Sequence, residues 1–300
     1  MQSLLLLDGN SLLHRAYYAL PDWRNRSGEA TAGVYGFLSM LLKAISELKP
    51  THLIVVFDHP SPTFRHTMYV GYQTNREKDR QISEDIWGQV IKLQLVLEKM
   101  GIPVFQTAGF EADDIIGTLA KQAGKHKFQV TIITGDRDLM QLVNKQVSLY
   151  MPQKGLTDAT LVDEEIVMSR MGVPPDQIID YKGLVGDSSD NYPGVAGIGP
   201  KTAAHLLAEF RSLDNLYKHL PQVPEAARNK LVTGYEGAIL SQKLATIKTD
   251  VPVTANWQEA QTPSEEKLLA VLQELGYKSL IKRLGGEVEV NTNQPKLFES

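Results

Sequence analysis

The sequence predicts an α/β fold: a mixed, mainly parallel sheet flanked by helices, with a helical C-terminal region after it. Three observations predict it. Short apolar runs at 4–7, 53–57, 102–105 and 130–133, several containing β-branched residues, alternate with segments whose apolar positions recur every three or four residues. Strand signals fade after about residue 160, while helical ones continue to Leu284. A chain of 300 residues with 42% hydrophobic content holds one large α/β domain, or a domain with a smaller appendage.

The run at 4–7 is four leucines, too short for a membrane span or a signal core, and it stops at Asp8-Gly9-Asn10. Residues 33–48 read as a helix closed by Lys49-Pro50, residues 83–100 as a helix closed by Gly101, and residues 111–122 as a third. Between the strand at 53–57 and the helix at 83–100 lies a polar, basic and aromatic stretch, Pro60 to Arg80, far longer than a simple connection needs. The expected organisation is an α/β domain over 1–160, a helical region over 161–284, and a polar tail or linker over 285–300. No internal repeat and no GxxxxGK[ST] or GxGxxG loop is present.

Composition narrows the chemistry. With no cysteine, disulfides, Cys-ligated zinc and iron–sulfur clusters are excluded, so a bound metal must sit on oxygen or imidazole. The formal charge of −4 argues against a nucleic-acid partner, but setting aside the nine carboxylates described next leaves a net positive remainder.

Four acidic residues follow the expected strands: Asp8, Asp58, Glu111 and Asp136. Ligands of open α/β sheets bind outside the carboxyl ends of the strands, so these side chains should converge. Neighbours enlarge the group with Asp113 and Asp114, Asp138, and farther on Asp187 and Asp190. Crowded carboxylates repel unless cations are supplied, and two divalent ions are the simplest supply. For Glu111 and Asp113 to converge, Glu111 must sit at the strand-to-helix turn, with the helix beginning at about Ala112. The competing reading, position by position, is that these acids only cap helices.

Two further features suit a polyanion. Gly194, Gly197 and Gly199, followed by Lys201 and Thr202, lead into an amphipathic stretch in a helix-hairpin-helix pattern at 194–203. Such a turn brings backbone N–H groups and a helix N-terminus up to a phosphate. The 60–80 stretch carries Arg65, His66, Arg76, Lys78 and Arg80 among Phe64, Tyr69 and Tyr72, a mixture suited to a single strand. A solvated charged loop is the plainer alternative.

These motifs together resemble the 5′-nuclease domain of bacterial DNA polymerase I, of the flap endonuclease family. The resemblance spans roughly residues 3 to 284. It rests on Leu7-Asp8-Gly9, Val56-Phe57-Asp58, Phe64-Arg65, Glu111-Ala112-Asp113-Asp114, Thr134-Gly135-Asp136 with Asp138-Leu139, Gly186-Asp187-Ser188-Ser189-Asp190-Asn191, and the glycine motif. It implies a PIN-like sheet and a helical arch at about 60–82. It implies a first metal ringed by Asp8, Asp58, Glu111, Asp113 and Asp114, and a second held by Asp136, Asp138, Asp187 and Asp190. The ions implied are two Mg2+, with Mn2+ as substitute, and K+ at the helix-hairpin-helix. Arg15, Arg65 and Arg76 are the catalytic cations implied, and His14, Tyr72, Gln73 and Lys78 join the hairpin residues in contacting DNA.

Two positions depart from the family. Gln73 stands where relatives usually carry Lys near the scissile phosphate, and His14 where they often carry Tyr or Phe to stack on a base. The resemblance implies a monomeric, cytoplasmic, nucleoid-associated bacterial enzyme with no membrane contact. It implies hydrolysis at 5′ flaps, nicks and RNA–DNA primer ends, serving Okazaki-fragment processing and repair, and leaves open a covalently linked polymerase domain. A DNA-binding module without catalysis and an RNA-cleaving PIN-type nuclease are the rivals; the full acidic set opposes the first and the glycine motif the second.

Overall fold

A computed structural model describes residues 2–24, 28, 30–75, 80–153 and 158–287. Strand β1 (Ser3–Asp8) runs into helix α1 (Gly9–Ala19), and helix α2 (Ala32–Leu48) leads to β2 (His52–Val56). The short α3 (Phe64–Met68) and the long α4 (Arg80–Met100) precede β3 (Val104–Phe105), α5 (Ala112–Lys125) and β4 (Gln129–Ile133). Then come β5 (Val147–Pro152), β6 (Ala159–Val162), α6 (Glu164–Met171) and α7 (Ile178–Val185). The remainder is helical: α8 (Pro200–Phe210), α9 (Leu213–Lys218), α10 (Glu225–Thr233), α11 (Tyr235–Ala245), α12 (Glu265–Leu275) and α13 (Lys278–Arg283).

The six strands form one sheet in the order β3-β2-β1-β4-β5-β6, parallel throughout except for β5 against β6. The four expected strands are all present, with β1 central, pairing Leu4 with His52 on one side and with Val130 on the other. A central parallel strand is covered on both faces, which is why its leucines need no polar alternation. Leu4 and Leu6 face α5 and the helices that follow α7, whereas Leu5 and Leu7 face α2 and α4. Each fully buried leucine contributes roughly 1.5–3 kcal/mol.

Three features go beyond the sequence reading. Helix α1, absent from the sequence reading, begins directly at Gly9, where the apolar run stops, because the Asp8 carboxylate accepts from the Ser11 N–H and caps it. Strands β5 and β6 extend the sheet past β4, with Val147, Leu149 and Met151 alternating inward. Helices α12 and α13 return to pack with α2 and α4 on the face opposite α5.

Candidate active site

Parallel strands all deliver their carboxyl ends to one edge of the sheet, and there a cleft of about 1160 Å³ opens. Eight of the nine expected carboxylates line it: Asp8, Asp58, Glu111, Asp113, Asp136, Asp138, Asp187 and Asp190. The first six come from the strand ends and α5. Asp187 and Asp190 come from the loop between α7 and α8, which folds back through paired backbone bonds between Asp187 and Tyr192.

Local bonds fix each group. Asp8, the last residue of β1, accepts from Thr134 Oγ1 at 2.8 Å as well as from the Ser11 N–H. Asp58 accepts from the Ala112 N–H at 2.8 Å, tying the end of β2 to the start of α5. Glu111 is the N-cap of α5, with the helix starting at Ala112, the geometry that brings Glu111 and Asp113 to the same cleft. Capping and convergence are therefore the same arrangement, not rival explanations.

Burial and mutual repulsion raise the pKa of four of these carboxyl groups. Burial first, then neighbouring Asp58, pushes Asp8 up to about 7. Glu111 is pushed to about 7 by burial against the pull of Arg65, and Asp138 to about 7 by burial and by Asp136. Asp113 is raised well above the ordinary range by burial and by Asp136. Asp187 goes the other way: burial is outweighed by Lys182 and by hydrogen bonds from Ser189, which lower it.

Lys182, on α7, is the counter-ion that sequence reading missed. It is buried to 6% exposure, donating to Asp138 and to Asp187 Oδ2. Its signal was a single cation within the apolar run of α7, five residues before Asp187. Beside it, the Tyr192 hydroxyl is buried and has no hydrogen-bond partner among the described residues.

The donor set fits hard divalent cations: it is all oxygen, crowded and short of positive charge. Among the described residues no three acidic or imidazole side chains stand close enough to enclose an ion directly. Several of their oxygens accept from N–H and O–H donors, from Lys182 and from Arg65, so an ion that keeps part of its water shell suits them best.

Comparison with known proteins decides the kinship. Residues 3–172 match the family model for the 5′-3′ exonuclease N-terminal resolvase-like domain, and residues 173–267 that for the 5′-3′ exonuclease C-terminal SAM fold. The chain belongs to the 5′-3′ exonuclease family. It is 41% identical over 288 residues to DNA polymerase I of Bacillus subtilis (strain 168), covering 95% of this chain and 32% of that one. To the thermostable DNA polymerase I of Thermus filiformis it is 42% identical, covering 95% and 34%. The chain thus spans about a third of the length of these relatives. The phage T5 5′-exonuclease with bound zinc shares its fold at a TM-score of 0.71, 22% identity, and 83% and 90% coverage. The catalytic core of Rad2 in complex with DNA substrate does so at 0.60, 17% identity, and 94% and 93% coverage.

The other expected site residues fall in the cleft, beneath it and at the hairpin, and two lie outside the described residues. His14, Arg15 and Gln73 line the cleft. Gln73 adopts a left-handed backbone (φ 55°) and donates from Nε2 to Asp190 at 3.3 Å. Arg76 and Lys78 lie outside the described residues, as do parts of the 60–82 stretch.

Arg65, Asp114 and Tyr72 sit beneath the cleft instead of lining it. Asp114 is fully buried, and its two oxygens accept a forked pair from Arg65 at 2.7 and 2.9 Å. They also accept from the Glu111 and Lys248 N–H groups, leaving no face toward the cleft. Arg65 also donates to the Leu244 and Thr246 carbonyls. Tyr72 is 3% exposed, so its ring has no face for a base, and its hydroxyl donates to Glu111 Oε2 and Asp190 Oδ2.

At the hairpin, Gly194 and Gly197 hold φ of 61° and 80°, conformations that favour glycine. A Cβ at Gly194 would meet the backbone of residues 184–186 within 2.7 Å. Gly199 caps α8, and Lys201 and Thr202 are exposed on its first turn.

Proposed function

We propose that the chain is a structure-selective 5′-nuclease that hydrolyses phosphodiester bonds of 5′-flapped, nicked or primer-bearing DNA. The observation that carries this reading is the convergence of eight carboxylates from both regions of the chain on one cleft. Two divalent ions, Mg2+ with Mn2+ as substitute, would be held by Asp8, Asp58, Glu111 and Asp113 and by Asp136, Asp138, Asp187 and Asp190. When bound, such ions supply Lewis acidity and charge neutralisation for in-line hydrolysis at phosphorus.

The chain's own residues orient the substrate. Arg15 neutralises phosphate charge on one wall, His14 offers a ring to a base near the cut, and Gln73 donates from the base of the arch. The α8 N-terminus, with Lys201 and Thr202, grips the duplex backbone without reading bases. A potassium ion at the hairpin would have to share the Gly197 carbonyl with the Lys230 ammonium, which donates to it at 3.1 Å. The cellular roles that follow are primer removal between Okazaki fragments and repair, acting on DNA beside a polymerase.

The test is cleavage of a labelled duplex with a 5′ flap, in Mg2+ and in chelator, alongside Asp136→Ala. The expected result is Mg2+-dependent cutting near the flap junction, reduced by on the order of a thousandfold in the variant while DNA binding persists. Binding without cutting by the parent chain would overturn the proposal.

A further inference from the structure

We infer that Lys182 is a resident placeholder for the second cation, and that Tyr192 is where its ammonium goes when a divalent ion displaces it. The inference rests on the reading that Asp138 and Asp187 hold an ion.

Two observations on α7 and its following loop carry it. Lys182 bridges the two carboxylates, Asp138 from the turn after β4 and Asp187 from the α7–α8 loop, so one positive charge already sits where an ion would bind. An ion entering between them must expel it, because two cations cannot share the pair at contact distance without strong repulsion. The expelled ammonium is buried, on a helix that cannot follow it to solvent, and a buried charge needs an acceptor.

The Tyr192 hydroxyl supplies one. It is 4% exposed, has no hydrogen-bond partner among the described residues, and sits within electrostatic range of Lys182. An unsatisfied buried hydroxyl is a cost unless some state of the molecule uses it. Tyr192 is also fixed to Asp187 by reciprocal backbone bonds of 3.0 Å, so the acceptor stays beside the site as the ammonium moves. Lys182 then remains next to the ion as a further positive charge, positioned by the phenol.

The test is calorimetric titration of Mn2+ into the metal-stripped chain. Asp187→Asn identifies the binding phase that belongs to this site. Lys182→Met, an uncharged side chain of similar length, should tighten that phase on the order of tenfold. Tyr192→Phe, which keeps the ring and should fold normally, should weaken it on the order of tenfold. In the Lys182→Met background the Tyr192→Phe effect should vanish, since no ammonium remains to be housed.

Equal Tyr192→Phe effects in both backgrounds, or a looser phase in Lys182→Met, would overturn the inference while leaving the metal site standing. A parent chain that takes up no Mn2+, or an Asp187→Asn chain with unchanged binding, would instead remove the metal reading and this inference with it.

Discussion

At the scale of single residues, the cleft separates groups that face substrate from groups that hold the site together, and Gln73 sits on the boundary. Its left-handed φ costs an unbranched side chain the same whether it ends in an amide or an ammonium, so Gln73→Lys should fold without penalty. The backbone is pinned besides, with the Gln73 N–H donating to the Asp190 carbonyl at 2.9 Å. A lysine there would place a full charge between Asp190 and an incoming phosphate. Single-turnover cleavage of a flap substrate should rise on the order of tenfold; an unchanged or slower rate would show that the amide already does what the site needs. Lys182 and Gln73 differ in an instructive way. Gln73 stood out because a motif predicted another residue there, while Lys182 belonged to no motif and its one signal was a lone cation in a helical run before Asp187.

At the scale of elements, the forked Arg65–Asp114 pair joins α3 to α5 and both to the end of α11 and the segment after it, through the Leu244 and Thr246 carbonyls and the Lys248 N–H. Breaking a buried pair by removing one partner leaves the other charge stranded, which costs about 3–5 kcal/mol. Asp114→Ala should therefore lower chemical-denaturation stability by that amount, and adding Arg65→Ala should cost less than the sum of the two single changes. Additive losses would mean that the pair is not coupled. This role was hidden in the sequence, where Asp114 shares an acidic motif with Asp113 and only a one-residue helical offset separates the cleft from the interior. The strand ends were legible for the opposite reason: a parallel sheet sends every carboxyl end the same way, so strand recognition alone placed Asp8, Asp58 and Asp136. Strands β5 and β6 escaped notice although Val147, Leu149 and Met151 alternate, because they follow the expected sheet and precede a helical stretch.

At the scale of the whole molecule, folding assembles negative charge that the folded chain only partly neutralises. Asp8, Glu111 and Asp138 are each pushed to about 7, from an unfolded-state value near the ordinary carboxylate range of about 4. Between those limits the native state binds more protons than the unfolded chain, so stability falls as pH rises through that window. The contribution is fully present below about 4 and lost as pH passes through about 7. In chelator, the melting temperature should drop by on the order of 5 °C or more between pH 5 and pH 8. Divalent cations bind the deprotonated carboxylates, so 10 mM Mg2+, about the level a weak hydrated site requires, should stabilise the chain far more at pH 8 than at pH 5. The two melting series separate the causes: a pH-dependent loss that Mg2+ reverses belongs to the cleft, whereas one that Mg2+ leaves untouched comes from titrating groups elsewhere. Because the carboxylates proposed to hold the ions come from both the sheet and the α7–α8 loop, the same ion should raise the stability of both regions in a single transition.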